Sequence, residues 1–500
     1  MAMKKIFGSI LVMALMLSCA PSVPENSVAA GRKPEIYPQY TDVTIPCNIA
    51  PLTFRIEEDG DGYVTRFAAG GKELVVAGKE VAVPVEEWHA MLDVANGDKI
   101  DVELFVKSKE EWKRFEPFCF KVSPDSIDPY ISYRLIPPSY VAYENLRICQ
   151  RNISNYDEEV IYSNHLVPSE PHGQCINCHA YKNYKTDNMQ FHARQHLGGT
   201  VFVHNGKAKK VDLKTDSTIS AGVYPSFNPK YDVVAYSVNS TGQVFHTKNP
   251  NKVEVQDKAS DVIVYNPVKE TVAHVANNVD DLEVFPCWSA DGKMLYYCSA
   301  HMEHLDTTLK RESEFVLRYK EIKYDILCRS WNPETGEFGV VDTVFAASSL
   351  GKSATFPRVS PCGRYMLFAL AEYGCFHIWH KDADLYVLDL ETKFYWPLDK
   401  ANSPFPESYH AWSSTGKWIL FASRRDDTNY SRLYIAHMDD NGVADKAFLL
   451  PQENSEFYDF FDHSFNVPEF MIEPVRITPY EFAEVIKGES LNVEYKQNIK

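Results

Sequence analysis

Cys175-Ile176-Asn177-Cys178-His179 is the stretch of this chain whose residue types and spacing announce a chemistry. Two thiols separated by two residues, followed at once by an imidazole, form the pattern of covalent porphyrin attachment. The cysteines reach the two vinyl groups of one ring, and the histidine is delivered to its iron. Structural zinc needs a second ligand pair at similar spacing, and no other Cys-x-x-Cys occurs in the sequence. The pattern predicts a single covalent haem c bonded through Cys175 and Cys178, with His179 as proximal metal ligand. The alternative is a haem-free dithiol or disulfide at the same two cysteines.

A six-coordinate iron needs a second axial ligand. Met189, His192 and His196 follow His179 by 10, 13 and 17 residues. His192 leads as the distal metal ligand, then Met189, then His196; imidazole favours a low potential and thioether a higher one. Arg194 is placed to pair with a propionate. His165 and His172 precede the attachment site and rank lower. These residues predict electron transfer or haem-based sensing, and they leave open whether any reaction is catalysed. Only an open distal position would make the chain a haem-dependent oxidoreductase.

The elements that carry this motif begin with a signal. Lys4 and Lys5 precede an apolar run from Ile6 to Leu17, too short to span a bilayer. The run ends in Met16-Leu17-Ser18-Cys19, which resembles the lipobox of bacterial lipoproteins. That resemblance implies cleavage before Cys19 and lipidation of its thiol. Residues 1–19 are thus expected to be a signal peptide, and residues 20–34, rich in Pro, Ser and Ala, a disordered tether. No later segment offers 18 consecutive apolar residues, so the lipid is the expected membrane contact. The expected location is an exported lipoprotein of the outer membrane facing the periplasm. Haem is attached outside the cytoplasm, so signal and motif support each other.

Composition narrows the partners. Lys plus Arg is 51 and Asp plus Glu 68, a net charge of −17 over 500 residues. Nucleic acid and anionic lipid are poor partners for such a chain; envelope proteins, a redox partner among them, are the expected ones. Aromatic residues make up 13%, which suits β-sheet. Eight of the 11 cysteines fall outside the motif and the lipobox. In an oxidising compartment some of them can pair, and several sit in apolar strands where a buried thiol is the commoner role.

Residues 35–125 predict an immunoglobulin-like β-sandwich. Val102, Leu104 and Val106 alternate with polar residues, as do Phe118, Phe120 and Val122. A short helix is expected over 85–95. Asp59 and Asp61 sit in a glycine-rich turn without the later ligands of a calcium loop, so calcium is not expected.

Beyond Thr200 the sequence repeats. Four 13-residue segments begin at Tyr224, Phe285, Phe356 and Tyr409, at intervals of 53 to 71 residues. Each reads as a short strand, a turn and an apolar strand, with Gly292, Gly363 and Gly416 supplying the turn in three of them. A second strand pair follows most copies, which describes four-stranded propeller blades. The aromatic-Pro-x-Trp-Ser-x-Asp-Gly-Lys pattern resembles the TolB-like (WD-type) β-propeller repeat. That resemblance implies binding of proteins or ligands at the ends of a ring, not a particular chemistry. His410 replaces the proline in the last copy, and no clear fifth or sixth copy is visible.

The predicted fold is therefore mainly β: a sandwich over 35–125, then a propeller over 126–475 with six blades, or seven. Residues 165–199, polar and irregular, are expected to be a haem-binding insertion between the first blades. Residues 462–470 read as a closing strand. The tail 476–500 carries a short helix with Thr478 as N-cap and Gly488 just past its end.

Other motifs dissolve. Ala346 to Ser353 meets a permissive phosphate-loop pattern, but a strand follows where a helix is needed. His377, Trp379, His380, Asp382 and Asp384 read as a solvated loop rather than a metal cluster. No Gly-x-Ser-x-Gly is present.

Overall fold

The computed structural model describes residues 21–138, 145–167, 174–249, 251 and 253–496. The expected signal peptide, the lipidation site Cys19 and His172 lie outside the described residues.

Two sheets and one helix make up the N-terminal part. A seven-stranded sheet is built around Lys99–Ser108, which pairs with Gly62–Ala69, Glu111–Arg114 and Phe118–Ser123. A three-stranded sheet holds Ile36–Tyr37, Phe54–Ile56 and Glu80–Val81. The apolar alternation of Val102, Leu104 and Val106 and of Phe118, Phe120 and Val122 faces one shared core with Phe54 and Phe67. The helix Val85–Ala95 sets Trp88, Met91, Leu92 and Ala95 into that core, at i, i+3, i+4 and i+7. The tether differs from expectation at its far end. Val28–Ala29 adds a parallel edge strand to Glu111–Arg114, and Arg32 pairs with Glu58 at 2.6 Å. Hydrogen bonds to an open edge order this segment without any apolar periodicity of its own.

Six four-stranded antiparallel blades follow. The innermost strands are Ser464–Met471, Gln174–Lys182, Val223–Phe227, Asp281–Trp288, Ser353–Val359 and Glu407–Trp412, and they touch in that order round a closed ring. Blade 1 is made by both ends of the ring: Ser464–Met471 pairs with Tyr130–Ile136, then come Arg147–Asn152 and Glu158–Ser163. The segment read as a closing strand thus closes the circle, and the described residues form six blades. No blade can bury both faces alone, so closure removes the exposed edge faces.

Blade 2 corrects one expectation. The described part of the expected insertion, residues 174–199, is not irregular; Gln174–Lys182 and Lys185–Gln195 are the two inner strands of a regular blade. Their polar residues hid the strands, because Gln174, Asn177, His179, Gln190 and His192 are buried between blades. Burial on both faces leaves no hydrophobic alternation to read.

The tail straps the outside. Helix Pro479–Lys487 starts with a capping box between Thr478 and Glu481 and packs on blades 1 and 2. Leu491–Asn492 and Glu494–Tyr495 then extend blades 2 and 3 as parallel edge strands. The N-terminal sheets sit against blade 6. Thr44 donates to Asp445 at 2.8 Å, Trp418 Nε1 to Asp125 O at 3.1 Å and Tyr40 to Leu449 O at 3.2 Å, over a continuous apolar core.

Candidate functional site

Every innermost strand carries the same two-for-one bulge. The residue that starts it has positive φ in all six: Cys178 (56°), Tyr224 (49°), Phe285 (53°), Phe356 (53°), Tyr409 (48°) and Val467 (47°). In each pairing the register jumps across that residue and its successor. A bulge re-aims a side chain, here toward the ring's axis. Four of these are aromatic and fill the channel. Tyr224 meets Phe285 at 4.9 Å, Phe285 stacks on Phe356 at 3.9 Å, and Phe356 meets Tyr409 at 5.0 Å between ring centroids.

Cys178-His179 is therefore blade 2's copy of the aromatic-Pro pair. The successor residues are His179, Pro225, Pro286, Pro357, His410 and Pro468. Cys178-His179-Ala180-Tyr181 matches Tyr409-His410-Ala411-Trp412 closely, and Val467-Pro468-Glu469-Phe470 is the sixth copy. That alignment is the signal sequence reading missed, because the haem motif claimed the same residues.

Covalent haem does not fit this arrangement. His179 is 1% exposed and its imidazole is aimed at the backbone of Ser132 and Val467 in blade 1, without a well-formed hydrogen bond at either nitrogen. Burial drives it to a pKa of about 3. The channel cavity it touches amounts to about 20 Å³, room for a single water. His192 pairs across the sheet with Asn177, and its Nδ1 lies 3.2 Å from Thr200 Oγ1. Strand alternation puts His192 beside Gln190, which accepts a hydrogen bond from Tyr236 of blade 3. His179 faces blade 1 and His192 faces blade 3, so the two imidazoles cannot ligate one iron. Met189 is fully buried with Phe191, Ile148 and Tyr162. His196 is exposed in the turn that ends blade 2's second strand, and His165 is exposed in a short helical turn. Of the predicted haem residues that are described, Cys175 and Arg194 line a larger cavity.

That space is a cavity of about 640 Å³ at one mouth of the ring. It is lined by inner-strand residues that precede the bulge, among them Cys175, Asn177 and Asn466, and it is floored by Tyr224 and Tyr409. A second cavity of about 260 Å³ lies beyond the aromatic plug, lined by residues that follow the bulge, such as Tyr181, Trp288 and Trp412.

The larger cavity has a distinctive electrostatic lining. Arg134, Arg194 and Arg424 reach its wall, and no Asp or Glu lines it among the described residues. Arg134 donates to Ile176 O and Asn466 Oδ1, both at 2.8 Å, and has no carboxylate partner among the described residues. Arg194 stands across the sheet from Cys175 and makes no ion pair among the described residues. Arg424 lies 4.3 Å over the Trp379 ring. Phe376, Trp379 and Tyr430 complete an aromatic rim. Sequence reading named Arg194 for another task and passed over Arg134 and Arg424, which lie outside the repeat's signature.

The wall is supported from behind by a long hairpin, Val234–Phe245 with Val253–Asn266, whose arm crosses to blade 5. Asn239 on that arm donates to Asp257 at 2.9 Å. Burial raises Asp257 to about 7, with the hydrogen bonds from Asn239 and Tyr324 opposing. Glu254 meets His380 at 3.1 Å, both buried. The loop expected to be solvated is interior at its two histidines and exposed at Asp382: His377 and His380 are fully buried, and His377 is held by Thr355 at 2.9 Å and Gly374 O at 3.0 Å. No cluster of three His, Cys, Asp or Glu suited to a metal occurs among the described residues. The ten described cysteines are free thiols.

No protein-family model matches this chain, and no curated protein matches its sequence. Several solved structures resemble it. An oligogalacturonate lyase in complex with manganese is 13% identical, covers 82% of this chain and 99% of its own, and has a TM-score of 0.32. The β-propeller domain of the Trilobed protease from Pyrococcus furiosus is 10% identical over 72% of this chain and 96% of its own, with a TM-score of 0.33. An auxiliary nutrient binding protein from Bacteroides thetaiotaomicron is 10% identical over 83% and 98%, with a TM-score of 0.34. None of these likenesses bears on what this chain binds.

Proposed function

We propose that this chain is an exported, lipid-anchored propeller of the TolB-like kind, with an immunoglobulin-like N-terminal sandwich, that binds an anionic ligand at one mouth of its ring. The observation that carries the reading is the lining of the 640 Å³ cavity: three guanidinium groups and no carboxylate among the described residues, in a chain of net charge −17. An acidic protein that gathers arginine at a concave surface lined by no carboxylate among the described residues creates a local positive field for a negative guest. Guanidinium offers a planar fork that holds carboxylate or phosphate with two parallel hydrogen bonds. The volume suits a small organic molecule rather than a bare ion.

This reading makes no use of covalent haem, electron transfer or a redox partner, because His179 is buried against blade 1 beside a cavity with room for a single water. The ring acts as a binding scaffold. Lys4, Lys5, the apolar run and Met16-Leu17-Ser18-Cys19 support export and lipidation at Cys19, which would set the mouth of the ring near a membrane surface among envelope proteins.

Calorimetric titration of the mature chain with carboxylated and phosphorylated small molecules tests this. At least one class is expected to bind with an affinity that falls as salt rises, and Arg194→Gln is expected to weaken it by about tenfold or more. A panel in which no anion binds, or binding indifferent to Arg194→Gln, ends the reading.

A further inference from the structure

We infer that the anion taken by this cavity is a sugar acid, a ligand carrying both a negative group and several hydroxyls. The inference rests on the anion-site reading and deepens it. Six carboxamides line the same wall as the arginines: Asn177, Gln195, Asn239, Gln243, Asn429 and Asn466. They come from blades 1, 2, 3 and 6, so they converge on one space rather than forming one polar strand face.

A carboxamide both donates and accepts, as a hydroxyl does. A simple carboxylate or phosphate only accepts, and the carboxamide oxygens would then face it without partners. Two of the six are already oriented. Asn466 Oδ1 accepts from Arg134 at 2.8 Å, which turns its amide nitrogen toward Tyr409 on the cavity floor. Asn239 Nδ2 donates to Asp257 at 2.9 Å, which leaves its oxygen. Asn177 is 8% exposed and its Oδ1 has no partner. A buried carboxamide oxygen without a donor is costly unless a ligand or water supplies one. Tyr224, Tyr409 and Trp379 add flat apolar faces of the kind that the CH-bearing side of a sugar ring covers.

The test uses the full mature chain and five probes in calorimetric titration at one salt concentration: digalacturonic acid, sucrose 6-phosphate, lactose, benzoate and inorganic phosphate. One of the two anionic sugars is expected to bind at least about tenfold more tightly than lactose, benzoate or phosphate. Which of the two binds tells whether the negative group is a carboxylate or a phosphate. Asn177→Ala is expected to lower that affinity by about tenfold while leaving benzoate unmoved. If circular dichroism shows that Asn177→Ala does not fold, Asn429→Ala on an exposed loop replaces it with the same expectation. Benzoate or inorganic phosphate binding as tightly as either anionic sugar overturns the sugar assignment and leaves the anion site standing. Absence of binding by every anion overturns both.

Discussion

His179 of blade 2 and His410 of blade 6 occupy the same position of the repeat, where the other four blades carry proline. Each imidazole turns from its own inner strand to the backbone of the preceding blade. His410 Nε2 donates to Phe356 O at 2.6 Å and lies 3.3 Å from Leu367 O, and His179 faces Val467 and Ser132 in the corresponding place. Both are held near pKa 3 by burial. A histidine in this role is a spacer between sheets, and its neighbour Cys178 is the smallest member of a ring of channel-facing side chains.

His179→Pro is therefore expected to fold. Proline stands at that place in four blades, and the change removes a buried imidazole without a well-formed hydrogen bond. The loss in stability should stay within about 1.5 kcal/mol in denaturant unfolding, with the anion affinity unchanged. Collapse of the fold would show that this imidazole holds something the structure does not.

Thiol labelling separates the two cysteines of the motif. Cys362 is exposed and Cys175 partly so, whereas Cys178 is buried, with its thiol pushed up by desolvation. In the native chain an alkylating reagent should modify Cys362 and Cys175 and spare Cys178, which should react only after unfolding. Protein produced in a host that matures cytochromes should be colourless, and intact mass should show no added porphyrin. A red protein with haem on Cys175 and Cys178 would refute the blade-2 assignment of His179.

Phe285 is the keystone of the channel plug, 3% exposed and in contact with Tyr224, Phe356 and Phe376. Phe285→Ala should cost about 3–5 kcal/mol, since the rings beside it are fixed by their bulges and cannot collapse into the gap. The same change should join the 640 Å³ and 260 Å³ cavities, read as binding of xenon or a small apolar probe.

Stability should decline toward alkaline pH. Burial raises Asp257 to about 7, Glu283 to about 8 and Glu407 to about 7. In the unfolded chain these carboxyls titrate near 4, about their ordinary value. Between those values the folded chain keeps protons that the unfolded chain has released. The stabilisation is full below about pH 4 and is lost as pH rises through about 7 to 8. Asp445, held below the usual carboxylate range chiefly by its hydrogen bond to His437, acts in the opposite sense and only in strong acid. Melting temperature should fall between about pH 5 and about pH 9, and Asp257→Asn should flatten the fall. A midpoint that rises over this range would contradict the burial of these carboxyls.

The sequence by itself determined the local chemistry of each strand and turn. The four copies from Tyr224 to Tyr409, the apolar alternation around Val102 and Phe118, and the capped helix after Thr478 are all legible, because bulge, turn and cap each depend on a few adjacent residues. Which face each side chain presents was left to the tertiary structure. Cys178 and His179 satisfy a five-residue motif in sequence, and the two-for-one bulge sends the thiol to the channel and the imidazole to blade 1. Blade 2 was hidden because both its faces are covered, with Gln174 and Gln190 bonded to Tyr162 and Tyr236 of the flanking blades, so no period survives in the chain. Arg134, Arg194 and Arg424 lie far apart in sequence and are unremarkable there. Only closure of the ring, with Ser464–Met471 completing blade 1, brings their charges to one cavity, because the distances that set an electric field are distances in space.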